Sequence, residues 1–279
     1  MAIKILRTVK EMIEYRDTLK GTIGLVPTMG ALHLGHMSLV DQAVKDNDYV
    51  IVSTFVNPTQ FGAGEDFDSY PRTEKKDVAL LEEHHATAVF IPKASDMYPE
   101  GYNSWVEVFD VTQKLEGACR PTHFKGVTTV VNKLFNISRA DNAYFGQKDA
   151  QQVAVIKKMV RDLNIHINIV VMPIVREDSG LARSSRNTYL SAEEKKAALI
   201  LSKTIKLAES EWAKGENDAE ALKAKMIKNL ESEPLATVDY VAFNHWDDLE
   251  EITTIVAPTL VSMAVRIGAT RLIDNTILK

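Results

Sequence analysis

His33 and His36 follow an apolar run that ends in Pro27-Thr28-Met29-Gly30, and this is the first place in the chain where chemistry is legible. Pro27 and Gly30 would break a strand, and Gly35 removes a side chain where a ligand could approach the backbone. On a helix starting here, residues three apart project from one face. The start of a helix offers unpaired N–H groups and the positive end of its dipole to an anion. Two imidazoles at that point can each donate to a phosphate oxygen and stabilise charge developing on a leaving phosphate, without being charged beforehand. The same spacing also fits two ordinary histidines at a helix start; its position after a first strand favours a nucleotide site. Zinc is disfavoured, because no Cys or acidic cluster supplies a third ligand.

Other polar segments follow further apolar runs. After residues 49–55 come Asn57 and Gln60, neutral amides that could read hydroxyls and a carboxylate without adding charge; a plain Asn-Pro turn is the simpler account. After residues 143–145 comes Gly146-Gln147-Lys148-Asp149-Ala150-Gln151-Gln152. Lys148 is a candidate clamp for an α-phosphate, Asp149 an acceptor for ribose hydroxyls, and Gln152 a second amide facing Gln60. Against this, Asp is common in any solvated first helical turn. Ser184-Ser185-Arg186-Asn187 could wrap phosphate oxygens and tighten as charge moves to pyrophosphate, or could be a flexible interdomain loop. The glycine-flanked segment 115–126 reads as a polar gate loop carrying Arg120 and Lys125, with Cys119 a loop residue rather than a nucleophile.

These residues need a scaffold, and the apolar patterning supplies one. Residues 22–26, 49–55, 88–91, 143–145 and 165–171 read as buried strands, separated by helical patterns over 34–45, 73–85, 126–137 and 149–163. Such alternation predicts an α/β, Rossmann-like parallel sheet covered on both faces, with ligands at the carboxyl ends of the strands. Residues 176–186 read as a polar linker. Beyond it, a capping box at Ser191 and Glu194 opens a long helix over 192–214 that Gly215 stops. A helix over 218–230 and strands over 238–243, 260–267 and 270–273 complete a smaller α+β domain. The expected division is therefore 1–176 and 177–279.

Composition bounds the class. The chain has 279 residues, 45% hydrophobic and 25% charged, with a formal net charge of -5. Mild acidity argues against a nucleic-acid surface, which needs a clustered basic stripe. One cysteine excludes an intramolecular disulfide and, with no signal-like core near the start and no apolar run of membrane-spanning length, favours a cytoplasmic protein.

Taken together, PTMGALHLGH (27–36), FVNPTQFGAGEDFDSYPRT (55–73), LEGACRPTHFKGV (115–127), FGQKDAQQ (145–152), SSRN (184–187) and TRLIDN (270–275) closely resemble the pantothenate synthetase (pantoate–β-alanine ligase) family, in family order over essentially the whole chain. The H-x-G-H element alone indicates only the wider nucleotidyl-transferase superfamily. The resemblance implies a Rossmann-like catalytic domain, a smaller lid domain and a homodimer. It implies Mg²⁺ with ATP, (R)-pantoate and β-alanine as substrates, and AMP, pyrophosphate and pantothenate as products. Carried over by position, Gln60 and Gln152 hold pantoate with Met29 near the reacting groups. His33, His36, Lys148, Ser184, Ser185 and Arg186 take the ATP phosphates, of which His36, His33, Lys148 and Arg186 are the expected catalytic set. Asp149 holds the ribose, and Met29, Gly30 and Gly146 border the nucleotide. Glu116, Arg120 and His123 belong to a mobile wall. Leu34 stands where the family often has Glu, and Lys76-Asp77 where many members carry two acids, which puts a metal role there in doubt. A transferase that releases the adenylate as its product and a non-enzymatic nucleotide-binding module are the competing readings. β-Alanine-dependent AMP release and pantoate-dependent pyrophosphate exchange separate them.

Overall fold

The computed structural model describes residues 2–279 and separates into two compact units, one holding the chain through Gly146 together with Val155–Pro173, the other Gln147–Ala154 and Ile174–Lys279. Among the described residues, the first unit is built on a parallel sheet of β1 (Lys4–Leu6), β2 (Ile23–Thr28), β3 (Tyr49–Thr54), β4 (Ala88–Phe90), β5 (Asn142–Gly146) and β6 (Asn168–Met172) in the order β1-β4-β3-β2-β5-β6. Ile23, Leu25 and Val26 of β2 are buried in succession, as a strand covered on both faces requires. Side chains alternate along a strand, and β5 shows the consequence. Tyr144 packs with Val26, Val52, Met37 and Val40 on the face covered by helix Leu34–Asp46. Phe145 meets Phe135 of helix His123–Ser138, their ring centroids 6.5 Å apart.

The strand order reverses between β2 and β5, where Gly24 and Leu25 register against Asn142 and Ala143. Such a switch point leaves a crevice beyond the carboxyl ends of the two strands. β2 ends at the Thr28-Met29-Gly30 turn and β5 at Gly146, so the chain delivers two of its motifs to the ligand-binding end of this sheet.

The second unit carries the antiparallel sheet β7 (Ala236–His245), β8 (Thr259–Ile267) and β9 (Thr270–Leu278) in that order. Helices Leu199–Ala213 and Ala219–Leu230 cover it through a core that includes Leu201, Ile205, Leu222, Met226, Val261 and Met263. The Ser191–Glu194 capping box forms as expected, and Gly215 takes φ +96 just past the helix end.

Several expectations need correction. The helix expected over 192–214 is two, Ala192–Ala197 and Leu199–Ala213; between them Leu201 N bonds to Ala198 O, an i→i+3 contact that tightens the ladder. The polar linker 176–186 is an ordered hairpin: Arg176 bridges Ala182, Glu177 N bonds to Leu181 O at 2.8 Å, and Leu181 and Ala182 are buried. The gate loop contains helix Leu115–Cys119 and the first turn of helix His123–Ser138. β1 and helix Val9–Thr18, whose Thr8–Glu11 capping box is plain in the sequence, lie outside the expected set.

Candidate active site

The turn after β2 is held by an acid that spacing did not reveal. Thr28 Oγ1 accepts from Gly30 N at 3.2 Å and donates to Ser53 O. Gly30 takes φ +81 and Ala31 φ +51. A Cβ at Gly30 would meet Asp77 Oδ2 at 3.2 Å on top of the strained φ. The Asp77 carboxylate, buried in helix Glu74–Glu83, accepts from Ala31 N at 3.0 Å, Leu32 N at 2.9 Å and the Thr73 hydroxyl at 3.0 Å. Successive backbone N–H groups gathered on a carboxylate fix a loop that would otherwise fray. Asp77 thus sets the turn that leads into the histidines, a structural role for a position whose part as a metal ligand was doubted.

His33 is not on the helix; it caps it. Its backbone is extended (φ -144, ψ 175), its Nδ1 accepts from Gly35 N at 3.1 Å, and His36 Nδ1 accepts from His33 N at 3.3 Å. This is the reciprocal geometry of a capping box made by two imidazoles. An Nδ1 that accepts from an N–H carries no proton, so each neutral ring bears its proton on Nε2. The rings lie 4.0 Å apart, tilted by 33°. The cap therefore fixes the tautomer that donates from Nε2, which is what recognition of a phosphate oxygen needs. Leu34, 53% exposed, stands clear of this geometry.

Gln60 sits at the end of the Pro58–Gln60 turn after β3, and its orientation is imposed by Asn57. Asn57 Nδ2 donates to Gln60 Oε1 and to Gly126 O, each at 3.1 Å, while Asn57 Oδ1 accepts from the Tyr98 hydroxyl at 2.8 Å. A Cβ at Gly126 would lie 2.4 Å from Thr59 O, so glycine lets helix His123–Ser138 approach this turn. With Oε1 engaged, Gln60 Nε2 donates to the Met29 sulfur at 3.0 Å, a weak acceptor that a carboxylate could displace.

Arg120 and His123 close on the backbone of the same residue. His123 Nδ1 donates to Gln60 O at 2.9 Å, leaving Nε2 to accept from Arg120 at 3.4 Å. Burial, aided by the Arg120 guanidinium, pulls the His123 imidazolium down to about 4. Arg120 also pairs bidentately with Glu65 and donates to Gln60 O at 3.3 Å. Burial alone would raise the Glu65 carboxyl, but the bonds from Arg120 outweigh it and hold that group below its ordinary value. Glu116 lies on helix Leu115–Cys119, partly buried.

The remaining candidates belong to the second unit, apart from Gly146 at the end of β5. Lys148 and Asp149 lie on the Gln147–Asp149 turn, with the ammonium 3.3 Å from Asp149 Oδ1, and Gln152 follows, partly buried, on helix Ala150–Asp162. Ser184 caps the Ser185–Tyr189 turn by accepting from Arg186 N at 3.3 Å. Ser184, Ser185 and Arg186 are partly exposed there, while buried Asn187 donates to Glu177 and to Ala182 O. Asn57 was read with Gln60 as a candidate amide, whereas Asp77, Tyr98 and Glu65 were not among the expected site residues. Glu65 stood in a recognised motif without a role of its own, and the bonds that give Asp77, Tyr98 and Glu65 their roles reach groups distant in sequence.

A sequence model described as pantoate-beta-alanine ligase matches residues 4–277. A pantothenate synthetase of Acetivibrio thermocellus is 51% identical over 277 residues, covering 99% of both chains. One from a Roseiflexus species is 50% identical, with 99% of this chain and 100% of the relative covered. Among solved structures, a pantothenate synthetase of Thermus thermophilus superposes with a TM-score of 0.94 at 42% identity, over 98% of this chain and 99% of that one. A pantoate-beta-alanine ligase from Francisella tularensis, complexed with beta-gamma ATP and beta-alanine, gives 0.81 at 35% identity, over 99% of this chain and 98% of the other.

Proposed function

The chain belongs to the pantoate–beta-alanine ligase family, and from that premise we propose which of its residues serve each step of the family's reaction. The enzyme is an ATP-dependent ligase that condenses pantoate with β-alanine. In the proposed course, pantoate's carboxylate attacks the α-phosphorus; a P–O bond forms as the bond to pyrophosphate breaks, leaving pantoyl adenylate. The β-alanine amine then attacks the acyl carbon, AMP departs, and the amine's proton passes to a phosphate oxygen or solvent. No protein nucleophile is required, so catalysis rests on positioning and electrostatics.

The observation that carries the assignment is the doubly capped helix start after β2, where His33 and His36 each keep a donor on Nε2. We assign both rings to the oxygens of the departing pyrophosphate, with Met29, Gly30 and Gly146 bordering the nucleotide. Lys148 takes the α-phosphate, Ser184, Ser185 and Arg186 the phosphate chain, and Asp149 the ribose. Gln60 and Gln152 hold pantoate; the Asn57 bond that engages Gln60 Oε1 and leaves Nε2 only the weak Met29 acceptor supports this role. Glu116, Arg120 and His123 form the wall over the acid.

Among the described residues, no group of three or more His, Cys, Asp or Glu could hold a metal ion. We therefore assign Mg²⁺ to the nucleotide, bound by phosphate oxygens and water as MgATP, and route no step through a protein-held ion. Among the described residues no helix is long and apolar enough to cross a membrane. Our reading carries with it a cytoplasmic homodimer, with a nucleotide- and pantoate-binding domain over 1–176 and a lid over 177–279. Pantoate-dependent exchange of labelled pyrophosphate into ATP tests substrate and adenylation together. Exchange without β-alanine, and AMP release only with it, is the expected result; formation of ADP overturns the scheme.

A further inference from the structure

TRLIDN at 270–275 marks the family but has no part in the scheme above, and the second unit gives it one. Asp274 and Asn275 are adjacent on β9, and both are buried, at 2% and 3% exposure. Asn275 spends its carboxamide on one short turn: Nδ2 donates to Gln147 O at 3.1 Å and to Lys148 O at 2.8 Å, and Oδ1 accepts from Gln147 Nε2 at 3.2 Å. Its own N–H donates to Asp274 Oδ1 at 2.8 Å. Asp274 in turn takes both terminal nitrogens of Arg176, at 2.7 and 2.9 Å, locking the carboxylate that orients Asn275.

The Gln147–Asp149 turn is a single 3₁₀ turn that opens helix Ala150–Asp162, and the first turn of a helix is where it frays. β9, by contrast, does not need Asn275. It pairs with β8 from Thr270 to Leu278, and Leu272 and Leu278 anchor it in the apolar core. A buried amide with three bonds on one turn is therefore placed for the turn rather than for the strand. We propose that Asn275 is the positioning residue for Lys148, fixing the backbone from which the ammonium reaches the α-phosphate. Only a short carboxamide supplies two donors and an acceptor in this geometry. Aspartate would set a carboxylate against two carbonyl oxygens, and glutamine adds a methylene. The inference rests on the phosphate role assigned to Lys148.

The test is a cycle of Asn275→Asp, Lys148→Ala and the double variant, read by pyrophosphate exchange, β-alanine KM and circular dichroism. Asn275→Asp is expected to lower the adenylation kcat roughly 10- to 100-fold, with β-alanine KM and the folded spectrum unchanged. In the Lys148→Ala background the same change adds less than about twofold, because the group it positions is gone. Wild-type exchange by Asn275→Asp, or losses that simply multiply, overturns the proposal. A near-normal rate for Lys148→Ala alone overturns the Lys148 assignment and this proposal with it, and that single variant tells the two failures apart. Should Asn275→Asp not fold, Asn275→Ser carries the same comparison.

Discussion

At the scale of single residues, the two histidines do two jobs that substitution can separate. His33 accepts at Nδ1 to cap a helix, and the role we assign to its Nε2 is donation to a phosphate. Asparagine is a strong N-cap and alanine a poor one, a difference of about 1 kcal/mol. His33→Asn should therefore keep thermal stability close to wild type while kcat falls about 10²-fold, as loss of one donor to developing charge implies. His33→Ala should lose both. A thermal midpoint for His33→Asn as low as that of His33→Ala would mean the cap is not what the Nδ1 bond supplies. Gln152→Ala should raise the pantoate KM more than the ATP KM, measured in the same exchange assay; equal loss of both would remove Gln152 from the pantoate site.

At the scale of elements, turns without regular structure are held by side chains reaching in from elsewhere. Asp77 on helix Glu74–Glu83 gathers the amides of Ala31 and Leu32. Asp77→Ala leaves two N–H groups unpaired, at a cost of about 1–3 kcal/mol each when buried. It should lower both the melting temperature and the adenylation rate, whereas Lys76→Ala, on the exposed side, should change neither. The Arg120–His123–Glu65 cluster makes stability depend on pH. His123 stays neutral in the folded protein down to about 4, while in the unfolded chain it takes a proton near 6.5. The unfolded state thus binds more protons in that window, and stability falls as pH drops from 6.5 towards 4. Glu65, held below its ordinary 4.5, adds a loss in the same direction once pH falls below that value. Melting temperatures from pH 7 to 5 should decline, and His123→Gln should flatten the slope; an unchanged slope would show that His123 does not titrate this way.

At the scale of the whole molecule, the proposed scheme has the nucleotide bring its own cation. No cluster of ligands for a protein-held ion exists among the described residues. Chelation with EDTA should therefore abolish turnover while moving the melting temperature by no more than about a degree. A drop of several degrees would reveal an ion bound to the protein itself. The two compact units differ in construction, a parallel sheet in one and an antiparallel three-stranded sheet in the other. Each holds the turns that carry assigned residues by its own internal bonds, from Asp77 and Asn57 in the first and from Asn275 in the second.

Apolar runs alternating with helical periodicity determined the α/β class and the placement of β2 through β6, because burial of continuous apolar strands is a local property of the chain. The same held for the Ser191–Glu194 cap, whose partners are three residues apart. Motifs in family order named the chemistry, and His33-Leu34-Gly35-His36 is where we propose its phosphate side. What sequence could not decide was how those residues are held. Asp77 lies 45 residues from Leu32, Tyr98 41 from Asn57, and Asn275 127 from Lys148, and a bond between groups so far apart leaves no periodicity to read. The 176–186 segment looked like a linker because its polar residues are spent on a hairpin and on Asp274, partners that exist only once the chain has folded. Even the histidine turn changed meaning, from two rings on one helical face to a cap and its third residue, because the position of a helix's first turn is set by the bonds that close it.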